Sequence, residues 1–98
     1  MILEIATIDI KQGSNAGFEK ELEKAQNVIS RSGGYLGHQF HQCIENPNRY
    51  VFLIRWQSLE DHTIGFRESV LFKEWRALIG PFFETPPSVQ HYVLTFEK

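Results

Sequence analysis

Between Arg55 and Tyr92 the chain reads RWQSLEDHTIGFRESVLFKEWRALIGPFFETPPSVQHY, which gathers Trp56, Phe66, Phe72, Trp75, Phe82, Phe83 and Tyr92 with two histidines, His62 and His91. Aromatic side chains bury large areas, and several converging with a few polar groups form a pocket as readily as a plain core. His62 is the candidate base, because imidazole titrates near neutral pH. It stands three residues after Leu59 and four before Phe66, a spacing that predicts one helical face for all three. Trp56, Phe66, Phe72, Trp75 and Phe82 would be the walls of a site that holds a small aromatic ring while His62 removes a proton from it. The plainer reading of the same residues is a histidine that only hydrogen-bonds within a half-buried helix face, and five rings that are ordinary core.

Other chemistries find less support. No set of His, Cys, Asp and Glu has metal-ligand spacing, and Glu60, Asp61 and His62 are consecutive on a helix and diverge. His38 and His41 fall on opposite faces of one expected strand, so they do not share a ligand unless that strand bulges. Arg55 and Arg67 read either as surface charges or as contacts for an acidic substrate. A nucleophile elbow, a phosphate-binding glycine loop and a dinucleotide fingerprint are all missing. Cys43 is alone, which excludes an internal disulfide and suits a reducing compartment. The net charge of −2, with ten scattered Lys and Arg, disfavours nucleic acid and anionic membranes as partners. The opening residues lack a basic leader and no apolar run reaches transmembrane length, so the expected location is the cytoplasm.

The elements that must carry these residues follow from periodicity. Residues 3–10 are β-branched and roughly alternating, as in a strand. Ser14 or Asn15 can cap a helix over about 15–31, where Phe18, Leu22, Ala25 and Ile29 form one stripe that Gly33-Gly34 closes. Tyr35 to Ile44 and Tyr50 to Trp56 are strands joined by the Asn46-Pro47-Asn48 turn. Ser58-Leu59-Glu60-Asp61 has the form of a capping box, opening a helical region to about Ile79 that Gly65 interrupts. After Gly80-Pro81 and Pro86-Pro87, Ser88 to Phe96 forms the last strand. The order is βαββαβ, an α+β ferredoxin-like domain with an antiparallel sheet, in one domain over residues 1–98.

Such a sheet, with helices on one face, should be polar on the other. Here Tyr50, Phe52, Ile54 and Trp56 alternate with Val51 and Leu53, and Val89 and Val93 alternate with Tyr92, Leu94 and Phe96. Strands apolar on both faces ask for a second cover, most simply another copy of the sheet in a homodimer; an enlarged monomeric core is the alternative. On the dimer reading His91 faces the partner.

The strand ending in Trp56, the Ser58-x-Glu60-x-His62 run, Phe66, the Ser69-x-x-Phe72-x-x-Trp75 run, Pro81-Phe82 and the closing His91-Tyr92 resemble the antibiotic biosynthesis monooxygenase (ABM) domains over nearly the whole chain. The resemblance implies a ferredoxin-like fold paired into a dimeric α/β barrel, with a pocket between the sheet and the second helical region. It also implies oxidation of phenols or hydroquinones to quinones by O2 without metal, flavin or other cofactor. That chemistry needs a phenol to be deprotonated, its ring held flat, and water excluded. Haem-degrading relatives carry a Trp and a His in the second helical region and an Asn in the first strand. At those places this chain has Phe66, Arg76 and no Asn between Leu3 and Ile10. A non-catalytic dimer that binds a small aromatic ligand is the remaining alternative.

Overall fold

The computed structural model describes residues 1–98. Its elements are β1 (Ile2–Asp9), α1 (Asn15–Ile29), β2 (Tyr35–Gln42), β3 (Arg49–Trp56), a π-helical turn (Asp61–Phe66), α2 (Val70–Ile79), a 3-10 turn (Gly80–Phe82) and β4 (Ser88–Tyr92). The four strands form one sheet in the order β2-β3-β1-β4, every neighbouring pair antiparallel. This is the expected α+β ferredoxin-like βαββαβ architecture.

Alternation along the strands decides what the sheet buries. Ala6, Ile8, Tyr50, Phe52, Ile54 and Trp56 point to one face, where Phe18, Leu22, Ala25, Val28 and Ile29 of α1 and Trp75 and Ile79 of α2 close over them. Each side chain points opposite to its neighbour in the chain, so Leu3, Ile5, Val51 and Leu53 lie on the other face, half-exposed. No element of the chain covers that second apolar face. A bulge where the β2–β3 register shifts, between Tyr35 and Gly37, does not reunite the histidines: His38 pairs with Ile54 on the helix side and His41 with Val51 on the outer side.

Several boundaries differ from the sequence expectation, among them β2, which ends at Gln42 rather than Ile44. β4 ends at Tyr92 rather than Phe96, leaving Val93, Leu94 and Phe96 exposed beyond it. The only strand beside it, β1, pairs Leu3 with Tyr92 and begins at Ile2, so later residues have almost no ladder to join. α1 ends at Ile29, because the N–H groups of Ser30, Arg31 and Ser32 turn back onto the carbonyls of Gln26, Val28 and Ile29. The second helical region breaks at Arg67–Ser69 rather than at Gly65. Ser69 restarts it as the cap of α2, its Oγ accepting from the Phe72 N–H.

The box at Ser58 forms reciprocally. Asp61 Oδ2 accepts from the Ser58 N–H and hydroxyl, and Ser58 Oγ accepts from the Asp61 N–H. That carboxylate lies against Gly34, whose φ is +81° and whose added Cβ would fall 2.2 Å from it. Gly34→Ala should therefore cost more than the roughly 1–2 kcal/mol of a left-handed alanine alone. Urea denaturation should show the excess shrinking when Asp61→Ala removes the obstructing carboxylate, although Asp61→Ala costs about 1 kcal/mol by itself.

Candidate active site

The π-helical turn sets the site. Its wider spacing is visible in the Arg67 N–H bonding to the His62 carbonyl, and it turns His62 and Phe66 inward together while Leu59 stays largely exposed. His62 is 3% exposed and Phe66 1%. The His62 ring stacks on Trp56 at 5.2 Å and continues to Phe66 at 6.3 Å, and Phe66 meets Phe72 and Trp75 edge-on. Edge-on and offset contacts of this kind stabilise aromatic clusters beyond their buried area.

Beside this cluster is a cavity of about 590 Å³. Ala6, Ile8 and Phe52 form its floor on the sheet; Phe66, Phe72, Trp75 and Arg76 form one wall; Phe83 to Pro87 form the other. Of the residues singled out from sequence, His62, Phe66, Phe72 and Trp75 line it. Trp56 does not, being fully buried behind His62. Phe82 is also elsewhere: it packs edge-on against Phe18 at 5.8 Å, and the adjacent Phe83 takes the wall position. The backbone turns extended at Phe83, which sends neighbouring side chains to opposite sides.

The lining also contains a residue that sequence reasoning passed over. Glu4, on β1, is 5% exposed, and its Oε1 accepts from Trp56 Nε1 at 2.9 Å and lies 3.3 Å from His62 Nε2. His62 Nδ1 is in turn 2.8 Å from His91 Nε2. His91 therefore faces the helices, opposite Glu4 in the β1–β4 register, and not a partner's sheet. The result is a chain Trp56–Glu4–His62–His91. No three His, Cys, Asp or Glu side chains are gathered so as to hold a metal ion. Parity alone did not reveal Glu4: it shares its face with Ala6, Ile8 and Ile10, but the other phase of β1, with Leu3 and Ile5, is apolar as well.

Burial dominates the electrostatics of this chain. It pushes the Glu4 carboxyl up to about 7, against smaller opposing effects of the Trp56 hydrogen bond and the Arg67 charge. Burial, with Arg67 and His91, pulls His62 down to about 4, and burial and Arg67 also lower His91. Both shifts favour the neutral pair, a protonated Glu4 beside an unprotonated His62, over a carboxylate–imidazolium pair. Arg67 and Arg76, both exposed, add positive charge along the cavity wall, and Arg76 lies 5.9 Å over the Phe72 ring.

Residues 1–78 match the family model described as antibiotic biosynthesis monooxygenase. The chain belongs to the ABM family. A crystal structure from Bordetella bronchiseptica, provisionally named an antibiotic biosynthesis monooxygenase, superposes on this ABM domain with a TM-score of 0.94 at 37% identity, covering 97% of each chain. Uncharacterized protein YczJ of Bacillus subtilis is 39% identical over 92 residues, 94% of this chain and 97% of its own. The monooxygenase ActVA-Orf6 of Streptomyces coelicolor, in complex with nanaomycin D, shares the fold with a TM-score of 0.79 at 18% identity, covering 99% of this chain and 89% of its own.

The two central shifts act on stability in opposite directions. Glu4 is raised, so it favours the folded state at low pH and loses that contribution as pH climbs from 4.5 to about 7. His62 is lowered, so its contribution grows as pH rises from about 4 to 6.5. In Glu4→Gln only the histidine effects remain. Its melting temperature should gain on that of the unmodified protein from acid to about pH 8, where it should be the more stable by a few kcal/mol at most. Parallel melting curves across that range would show Glu4 to titrate normally.

Proposed function

We propose that this ABM domain is a cofactor-independent monooxygenase that oxidises a small aromatic phenol or hydroquinone with O2. The observation that carries the reading is the cavity itself, in which aromatic walls enclose the Glu4–His62 pair, able to exchange a proton near neutral pH. Pockets with apolar walls and a few placed polar groups are the usual form of small-molecule sites. The bound nanaomycin D of the Streptomyces coelicolor protein supports an aromatic ligand of this kind.

For a phenol with a free carbon opposite its hydroxyl, the chemistry balances without a further reagent. Loss of the hydroxyl proton makes an electron-rich phenolate that can give electrons to O2. One oxygen atom then enters the ring carbon opposite the hydroxyl as a carbonyl, and the other leaves as water. That water carries away both hydrogens the substrate gives up, the hydroxyl proton and the hydrogen of the oxygenated carbon. A phenol with one O2 thus yields a quinone and one water, a four-electron oxidation of the ring matched by four-electron reduction of O2. The protein's part is to take the proton, hold the ring between Phe66, Phe72 and Trp75, and keep water from the oxygen-derived intermediates.

The same reading places two copies face to face across the apolar outer sheet surface of Leu3, Ile5, Val51 and Leu53, and places the reaction in the cytoplasm, where a lone thiol such as Cys43 is kept reduced. A stable pairing should bury at least about 1,200 Å² in total. Light scattering should give twice the 11.4 kDa chain mass, and Leu53→Asp should abolish it by burying an unpaired carboxylate. A monomer at micromolar concentration would contradict the pairing.

Oxygen consumption by metal-stripped protein against hydroquinones and polycyclic phenols tests the activity. Turnover of at least one of them is expected, and consumption with none would leave a binding module. Phe66→Ala and Trp75→Ala should raise KM and also destabilise by about 3–5 kcal/mol. Activity measured well below each variant's melting temperature separates the two effects.

A further inference from the structure

We infer that Glu4 is the catalytic base, taking the ligand's hydroxyl proton at Oε2, and that His62 and His91 are positioning residues that hold Glu4 rather than accept that proton. The inference rests on the phenol-oxidising reading and names the atom that begins it.

Glu4 Oε1 accepts from Trp56 Nε1 and lies 3.3 Å from His62 Nε2. Glu4 Oε2 has no protein partner, yet no buried side-chain oxygen or nitrogen anywhere in the chain is left unpaired. Oε2 is therefore open, and the space it opens to is the cavity that Glu4 lines. Both ring nitrogens of His62 are turned toward protein groups, Nε2 toward the Glu4 carboxyl at 3.3 Å and Nδ1 toward His91 at 2.8 Å. Trp56 Nε1–H donates to Oε1, His62 Nε2 stands 3.3 Å from the same oxygen, and His91 Nε2–H can donate to His62 Nδ1. The Glu4 oxygen without a protein partner is the one directed at the ligand.

The environment suits the role. A carboxyl raised to about 7 accepts a proton at neutral pH and can return it, which is where a general base is most effective. The charged and titratable groups around it are His62 of the π-helical turn, Arg67 just after it, His91 of β4, Arg76 of α2 and Glu84 after the 3-10 turn. Arg67 favours the anionic forms, the Glu4 carboxylate and the phenolate alike. In the step proposed, the ligand's O–H bond breaks, its proton bonds to Glu4 Oε2, and the electron pair stays on the phenolate oxygen; no electron leaves the ring until O2 takes it.

Proton counting tests this without turnover. 4-Nitrophenol, a chromophoric phenol that resists oxidation, is titrated calorimetrically under nitrogen at about pH 8.5 in buffers of different ionisation enthalpy, where Glu4 and the free probe are both largely anionic. Two anions sharing one site must take up about one proton on binding. The unmodified protein should show that uptake. Glu4→Gln should show almost none while still binding, and His62→Asn should retain it with a shifted pH midpoint; His91→Gln serves in its place if His62→Asn does not fold. Uptake that survives in Glu4→Gln and disappears in His62→Asn would overturn the assignment and leave the phenol reading standing. Failure of the unmodified protein to bind the probe would overturn both.

Discussion

A carboxyl group buried among aromatic rings is the constraint around which this fold is arranged. Glu4 lies on the apolar face of a central strand, where an unpartnered polar group costs several kcal/mol and an isolated charge far more. Its tolerance depends on partners from both sides. The strand order β2-β3-β1-β4 sets β1 between β3 and β4, so that Trp56 reaches Glu4 from one neighbour while His91 stands opposite it on the other. His62 then drops from the π-helical turn between Glu4 and His91, touching both. Three elements distant in sequence are tied through one side chain, and a change of register by one residue would turn Glu4 to the outer face and disconnect them.

The cavity follows from the same arrangement. Trp56 and His62 fill the end of the domain where β3 finishes, and the small side chain of Ala6, two residues beyond Glu4 on the same face, leaves room above the sheet. Phe66, Phe72 and Trp75 wall that room because the region after β3 is not one regular helix. A π-helical turn and a separately capped α2 give the rings different orientations, where a continuous helix would lay them in a single stripe. Oε1 of the carboxyl is held by Trp56, and Oε2 is the oxygen left toward the cavity.

The parts of this arrangement that depend on periodicity were legible in the sequence. The element order, the α1 stripe from Phe18 to Ile29 and the apolar outer face of β3 are repeated patterns that average over many residues. So was the Ser58–Asp61 cap, a local exchange of hydrogen bonds. What escaped depended on phase or on distant partners. Both phases of β1 are rich in apolar residues, so parity did not show which one carried Glu4 inward. Phe82 and Phe83 are adjacent, and only the extended conformation after the 3-10 turn selects Phe83 for the cavity. A β4 running to Phe96 has apolar residues in both phases and leaves the face of His91 open; its actual face is fixed by pairing with Glu4 across the ladder. The ABM resemblance gave the fold and the place of the pocket, while the acid–base chain is peculiar to contacts that no local window contains.

The central claim is that Glu4 is protonated in the folded protein close to neutral pH, and infrared titration of the ligand-free protein tests it most directly. The unmodified protein minus Glu4→Gln should show the carbonyl stretch of a buried, un-ionised carboxyl that disappears with a midpoint near pH 7. A carboxyl band that is gone by about pH 5, as for an ordinary solvated glutamate, would contradict it.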